Sequence, residues 1–269
     1  MDGSGDDEEG FGIDAALVTG AGRGIGRAAA LALGGSGVGV VCVSRTPSCE
    51  RTAGEIVAAG GRAWGLMLDL AEYSEAGRRI GEFVESLEAR RWGAVLAAGV
   101  TGPPGPLKAQ DLDTWDETFR VNVLGNLAAV RALLPAITRH RFARLVFFSG
   151  GGAAYAYPLF PAYSCTKTAL VRVVENLHED LQEVGDVAVV CLAPGAVPTD
   201  LLTQVRAAGG EVRTETRVEE TINFLEQFLS RDAKRLSGRF VHVLDDWEEL
   251  LDGNGESPAP DFWKLRRVQ

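Results

Sequence analysis

Six short apolar runs recur along the chain, at residues 15–19, 38–43, 63–68, 94–99, 145–148 and 187–192. Each is nearly continuous in Val, Leu, Ala, Ile or Phe rather than alternating with polar residues, which predicts strands buried on both faces. Between them lie longer segments with apolar residues at helical spacing. These predict helices over residues 27–33, 50–59, 77–90, 113–139 and 163–184, the second closed by Gly60-Gly61. Strands alternating with helices at this interval predict a parallel sheet covered on both faces, a doubly wound α/β fold. No repeat or linker breaks the alternation, so a single domain is expected over residues 13–269, preceded by an acidic tail at residues 1–12. The first ten residues, with five acids and no basic or apolar run, read as solvated rather than as a signal peptide.

Composition narrows the class of partner. The chain of 269 residues is 46% apolar and 24% charged, an ordinary globular balance, and its formal charge of −10 argues against nucleic acid or an anionic membrane surface as partner. No single apolar run approaches the ~20 residues of a membrane span, and a cytoplasmic location is expected. Cys42, Cys49, Cys165 and Cys191 lack paired spacing, so neither a metal site nor a disulfide framework is expected.

The first run leads into Gly20-Ala-Gly-Arg-Gly-Ile-Gly26 and then a helix-forming stretch. Strand, glycine turn and helix together aim helix N-terminal N–H groups at a pyrophosphate, although the spacing is not G-x-G-x-x-G. A nucleotide site and a plain tight turn both remain open from this stretch alone. The second run ends at Ser44-Arg45-Thr46, where an acid would hold the ribose 2′-hydroxyl of NAD. None is present. Arg45, or Arg23 in the turn, could instead pair with a 2′-phosphate, which favours NADP(H); the alternative for both is a solvated surface arginine. Asp69, closing the third run, is placed for an adenine amino group or as a helix cap.

Tyr163 and Lys167 stand four apart at a helix start and so share a face. An ammonium beside a phenol favours the phenolate and brings a group with a free pKa of ~10 toward working range. Lys167 is one of four lysines against 23 arginines. With Thr19–Gly26, Asp69-Leu70, Asn122, Tyr163-Ser-Cys-Thr-Lys167 and Pro194-Gly195 in order, the chain resembles the short-chain dehydrogenase/reductase family over about residues 14–245. The resemblance implies a Rossmann-type fold. It implies that Tyr163 exchanges a proton with the substrate oxygen, Lys167 lowers the tyrosine pKa and holds the nicotinamide ribose, and Asn122 holds a water in the proton relay. It also implies a cofactor set of Gly20, Arg23, Gly24, Ile25, Gly26, Ser44, Arg45, Asp69, Leu70, Ala98 and Gly99. Pro194, Gly195, Val197 and Thr199 would lie at the nicotinamide. Subunits are expected to pair as a homodimer or homotetramer through the helices carrying Asn122 and Tyr163.

Two departures stand out. The family's Asn-Asn-Ala-Gly is Leu96-Ala-Ala-Gly99 here. The serine that polarises the substrate carbonyl would fall at Gly150. Ser149 is one residue early and in register with the opposite face, unless the Gly150-Gly-Gly152 run bulges to bring it in, and on that basis Ser149 is included among the catalytic residues. Without it one oxyanion donor is lost, worth ~3 kcal/mol. By position and by that resemblance, residues 200–221 would be the substrate lid, and Tyr155, Tyr157 and Phe160 would either wall the pocket or pack under the lid. The pocket-wall alternative implies a bulky, partly apolar substrate. A last strand is expected within residues 236–243, with His242 a strand residue, and the tail at 248–269 is available for a subunit or lid contact. The function expected is NADP(H)-dependent interconversion of a carbonyl and an alcohol. The rivals are non-redox acid–base chemistry on the same scaffold, such as dehydration, isomerisation or cyclisation, and an idle dinucleotide sensor.

Overall fold

The computed structural model describes residues 11–253 and 258–266. Its strands are β1 (Ala15–Thr19), β2 (Gly39–Ser44), β3 (Ala63–Met67), β4 (Trp92–Leu96), β5 (Phe142–Phe148), β6 (Asp186–Ala193) and β7 (Phe240–His242). They form one parallel sheet in the order β3-β2-β1-β4-β5-β6-β7. The β-branched and aliphatic runs make these strands because both faces are covered, as expected of a parallel sheet. One apolar layer lies between the sheet and α1 (Gly24–Gly35), α2 (Ser48–Ala58) and α9 (Val218–Ser230). The other packs α3 (Tyr73–Glu85), α5 (Asn126–His140) and α7 (Pro161–Leu181) on the opposite face. The single doubly wound α/β domain follows the alternation read from the sequence.

The chain turns outward from β1 to β2 and β3, then returns to place β4 on β1's other side, with Thr19 paired to both Val43 and Leu96. The loops leaving β1 and β4 therefore diverge and open a crevice at the strand ends, where ligands of such sheets bind.

Three expectations change. The helix expected over 113–139 is α4 (Leu112–Phe119), a π-helical segment at Arg120–Gly125, and α5, in one continuous rod. By length and composition this rod could cross a membrane, although unbroken apolar runs did not signal it. Half of its most apolar stretch is buried, and α5 packs on α3, as in a core helix. The acidic tail ends before residue 12, since Phe11 is buried with Ile13 in the core; residues 1–10 lie outside the described residues.

The described part of the C-terminal tail packs on its own chain. Trp247 sits edge-on to Phe224 at 4.9 Å between ring centroids, with its indole N–H on the Val243 carbonyl at 3.0 Å. The Phe240 N–H donates to the Trp263 carbonyl at 2.8 Å, so the tail covers the outer edge of β7. Arg266 then pairs with the buried Glu175 of α7 at 2.6 Å.

Candidate active site

The crevice is a cleft of about 1200 Å³ running from the glycine turn, past the end of β4, to the lid. Gly20 and Gly24 have φ of +69° and +53°, a backbone state that favours glycine. A β-carbon on Gly20 would lie 2.9 Å from the Ala98 nitrogen, and one on Gly26 would lie 2.4 Å from the Gly20 carbonyl oxygen. Only glycine lets the turn pass this close to β4 and to itself. The first turn of α1 carries no acidic residue, so its N–H groups face the cleft uncancelled. This cradle fits a dinucleotide pyrophosphate.

At the β2 end, Ser44 Oγ donates to the Thr46 carbonyl at 2.7 Å and accepts from Cys49 N at 3.2 Å, shaping the loop into α2. Arg45 pairs with Glu117 across 3.7 Å, and Arg23 reaches Asp200 at the start of α8 (Asp200–Ala207) across 3.2 Å. Both pairs are exposed and weak enough to yield to a phosphate. Thr46, Ser48 and Arg51 also line this end. Arg51, on the first turn of α2, makes no ion pair among the described residues, and sequence reasoning passed it over. The signal was available: a second arginine one helical turn into the helix after Arg45. Asp69 Oδ1 accepts from Ala71 N at 2.9 Å, the capping role, while the residue still lines the cleft beside Leu70.

A chain of buried hydrogen bonds joins the two ends of the site. Thr19 Oγ1 donates to Asn126 Oδ1 at 2.8 Å and accepts from Ala98 N at 3.1 Å. Asn126 Nδ2 donates to the Ala98 and Asn122 carbonyls at 3.1 and 2.9 Å. Asn122 Nδ2 donates to the Val100 carbonyl at 2.9 Å and to Thr166 Oγ1 at 3.0 Å, and its Oδ1 accepts from Val100 N at 2.8 Å. Thr166 Oγ1 in turn donates to the Tyr163 carbonyl at 2.7 Å. Both amide hydrogens of Asn122 are thus committed to protein partners. Its side chain braces the strand-end loop, against which the π-helical turn buries the amide. Gly99 lies between this amide and Lys167, where a β-carbon would sit 3.4 Å from Asn122 Oδ1 and 3.5 Å from Lys167 Nζ. Asn126 and Thr166 belong to the site and were not foreseen.

Lys167 is 5% exposed. Its ammonium donates to the Phe148 carbonyl at 2.8 Å and lies 5.3 Å from the centre of the Tyr163 ring. Burial brings its pKa down to about 8. Burial also pushes the Tyr163 hydroxyl up to about 12, with the nearby Tyr157 adding to the rise. In the protein alone burial is the larger cause, and the expected lowering by Lys167 does not appear there.

Ser149 borders the cleft, but its hydroxyl is turned back into the protein. Its N–H donates to the Leu192 carbonyl at 2.8 Å, continuing the β5 ladder, and its hydroxyl donates to the Lys167 carbonyl at 3.0 Å. The glycines after it do not bulge; they enter a short helical turn, α6 (Gly151–Ala154). Strand alternation then turns position 150 toward the cleft, where a β-carbon on Gly150 would lie 3.7 Å from Tyr163 Oη.

On the nicotinamide side, Gly195 has φ of +75° and the Pro194 carbonyl accepts from Thr216 Oγ1 at 2.5 Å. Val197 is buried, and Thr199 Oγ1 accepts from Leu202 N at 3.4 Å, capping α8. The expected lid at 200–221 is α8 and a following loop only, since residues 218–221 are already α9. The Arg213 guanidinium lies 3.8 Å above the Tyr155 ring, and Arg206 pairs with Glu215. The three aromatics divide between the two roles. Phe160 is core, Tyr157 leans on it at 5.6 Å and lines the cleft, and Tyr155 stands at the rim. His242 is a β7 residue whose Nδ1 accepts from Leu244 N at 3.2 Å, and it contributes to the far wall. No cluster of potential metal ligands occurs among the described residues.

Comparison with known proteins places this geometry. A Short chain dehydrogenase of Pseudocercospora fijiensis is 32% identical over 191 residues, 69% of this chain and 60% of that longer one. A 1-deoxy-11-beta-hydroxypentalenate dehydrogenase of Streptomyces exfoliatus is 31% identical over 261 residues, 93% of this chain and 94% of its own. Among solved structures, a protein of Beutenbergia cavernae assigned provisionally as an NAD(P) dependent gluconate 5-dehydrogenase, with bound NADP at low occupancy, superposes with a TM-score of 0.80. It is 26% identical, over 88% of this chain and 97% of that one. The family model for short chain dehydrogenases matches residues 14–209, and the chain belongs to that family.

Proposed function

We propose that the protein is an NADP(H)-dependent oxidoreductase interconverting a carbonyl and an alcohol on a bulky, partly apolar substrate. The observation that carries this reading is the pairing, in one cleft, of the Tyr163 hydroxyl and buried Lys167 with a glycine-cleared helix N-terminus. Gly20, Gly24, Ile25 and Gly26 would hold the pyrophosphate, and Arg45 with Arg51 the 2′-phosphate. Pro194 to Thr199 would back the nicotinamide. When bound, the dinucleotide supplies or accepts the hydride. The NADP-bound Beutenbergia structure supports the cofactor, and the hydroxypentalenate dehydrogenase supports a bulky alcohol or ketone.

The chain's own residues then act as follows. A phenol held near a pKa of about 12 stays protonated at neutral pH, so Tyr163 Oη rests as a proton donor aimed at a carbonyl oxygen. Negative charge developing on the oxygen, and then on Tyr163 Oη, lies beside the Lys167 ammonium in a site of low polarity, where the attraction is strong. The Phe148 carbonyl holds the ammonium in place. Gly150 withholds a second donor at this point, which supports a second reading, non-redox acid–base chemistry by Tyr163 and Lys167. Retention of the whole Asn122–Tyr163–Lys167 assembly speaks against an idle sensor. Leu112 and Leu124, 68% and 39% exposed on the α4–α5 rod, support pairing of subunits as a homodimer or homotetramer.

The reductase reading predicts that bulky ketones drive NADPH oxidation faster than NADH oxidation, and that Tyr163→Phe abolishes it. NADPH binding without oxidation across a broad panel, alongside Tyr163-dependent conversion of a substrate, would establish the non-redox reading instead. Sedimentation should show a dimer or tetramer; a monomer at every concentration contradicts subunit pairing.

The lysine carries a stability signature with a definite sign. Its pKa falls from 10.5 to about 8 on folding. Below pH 8 the buried ammonium costs about 3 kcal/mol; between pH 8 and 10.5 the folded protein releases this proton first and the cost disappears. In urea denaturation, the stability of Lys167→Met relative to wild type should therefore fall by about 3 kcal/mol from pH 7 to pH 10.5. A difference that does not change with pH contradicts the buried charge.

A further inference from the structure

We propose that the Tyr157 hydroxyl is the second hydrogen-bond donor to the substrate oxygen, serving in place of a side chain at position 150. This rests on the carbonyl–alcohol reading above. Position 150 is where a donor beside Tyr163 Oη belongs, and it holds no side chain. The serine hydroxyls of this region are already committed. Ser149 Oγ donates to the Lys167 carbonyl at 3.0 Å and Ser164 Oγ to the Pro161 carbonyl at 3.3 Å. The Tyr155 ring is at the rim under Arg213 and 56% exposed.

Tyr157 differs from all of these. Its ring is half-buried on Phe160, its side chain lines the cleft, and its hydroxyl has no hydrogen-bond partner among the described residues. The hydroxyl reaches the lid at Gly210, where a β-carbon would lie 2.8 Å from it. The mount is stiff. The Phe160 N–H donates to the Tyr157 carbonyl at 3.0 Å in a turn whose second residue is Pro158, and the Leu159 carbonyl accepts from Gly105 N at 2.8 Å. Burial raises the Tyr157 pKa, which keeps the hydroxyl protonated and a donor, and Tyr157 lines the same cleft as Tyr163 and Gly150. Tyr157 gives up no proton in this role. Tyr163 remains the acid, and Tyr157 stabilises the charge that builds on the same oxygen.

The test uses the full-length protein and a ketone that the wild type reduces with NADPH. Tyr157→Phe keeps the ring on Phe160 and should lower kcat on the order of 100-fold, the effect of losing one oxyanion donor. NADPH affinity should not change. Gly150 has φ of 171°, extended backbone open to any residue, so Gly150→Ser is free of strain and has room beside Tyr163. Added to Tyr157→Phe, it should restore at least a tenth of wild-type kcat, a rescue that a packing role for the phenol would not give. A Tyr157→Phe enzyme with unchanged kcat, a loss confined to KM, or a loss that Gly150→Ser leaves unrepaired overturns the inference. A wild type that oxidises NADPH with no ketone overturns the underlying reading instead, and this inference with it.

Discussion

The site depends on one buried chain of hydrogen bonds, from Thr19 through Asn126, Asn122 and Thr166 to the Tyr163 carbonyl. It spans the point where β1 and β4 separate, which in a doubly wound sheet has no ladder of its own to hold the loops. Each group in it would cost about 1–3 kcal/mol if left unpaired, so the members can adopt few other arrangements. The chain fixes the glycine turn at one end and the first turn of α7 at the other. The distance between the dinucleotide cradle and the Tyr163 hydroxyl is thereby set by the core rather than by surface loops.

Burial then decides the chemistry. The same packing that fixes Lys167 against the Phe148 carbonyl removes it and Tyr163 from water, so both neutral forms are favoured. Ser149 is drawn into this support, since its hydroxyl holds the carbonyl of Lys167 itself. A hydroxyl so employed has its proton committed and does not offer it to substrate. The vacated task at position 150 is what gives the aromatic wall and the lid a chemical role as well as a steric one.

The sheet was legible because continuous apolar runs have few other uses, and all six reappear as strands. The glycine turn, Tyr163 and Lys167 were legible because each needs a particular residue type at a particular spacing. Asn126 and Thr166 were not, since a polar residue within a helix is usually solvated, and only the π-helical segment and the packing of α7 reveal that these two are buried. Ser149 turned on whether three glycines bulge or coil, and composition does not distinguish the two. Phe11 was hidden by its acidic neighbours, although a lone aromatic beside Ile13 can still reach the core. Arg51 lies one helical turn past the strand end, beyond the position that the strand–turn pattern singles out.

Tyr163 rests as a neutral acid because burial is the main influence on its hydroxyl in the protein alone. Spectroscopic titration of its phenolate, taken as wild type minus Tyr163→Phe, tests it directly. The expected midpoint is near 12, above the ~10 of a free phenol. A midpoint at or below that of a free phenol would show that Lys167 governs the pair and that Tyr163 is poised as a base.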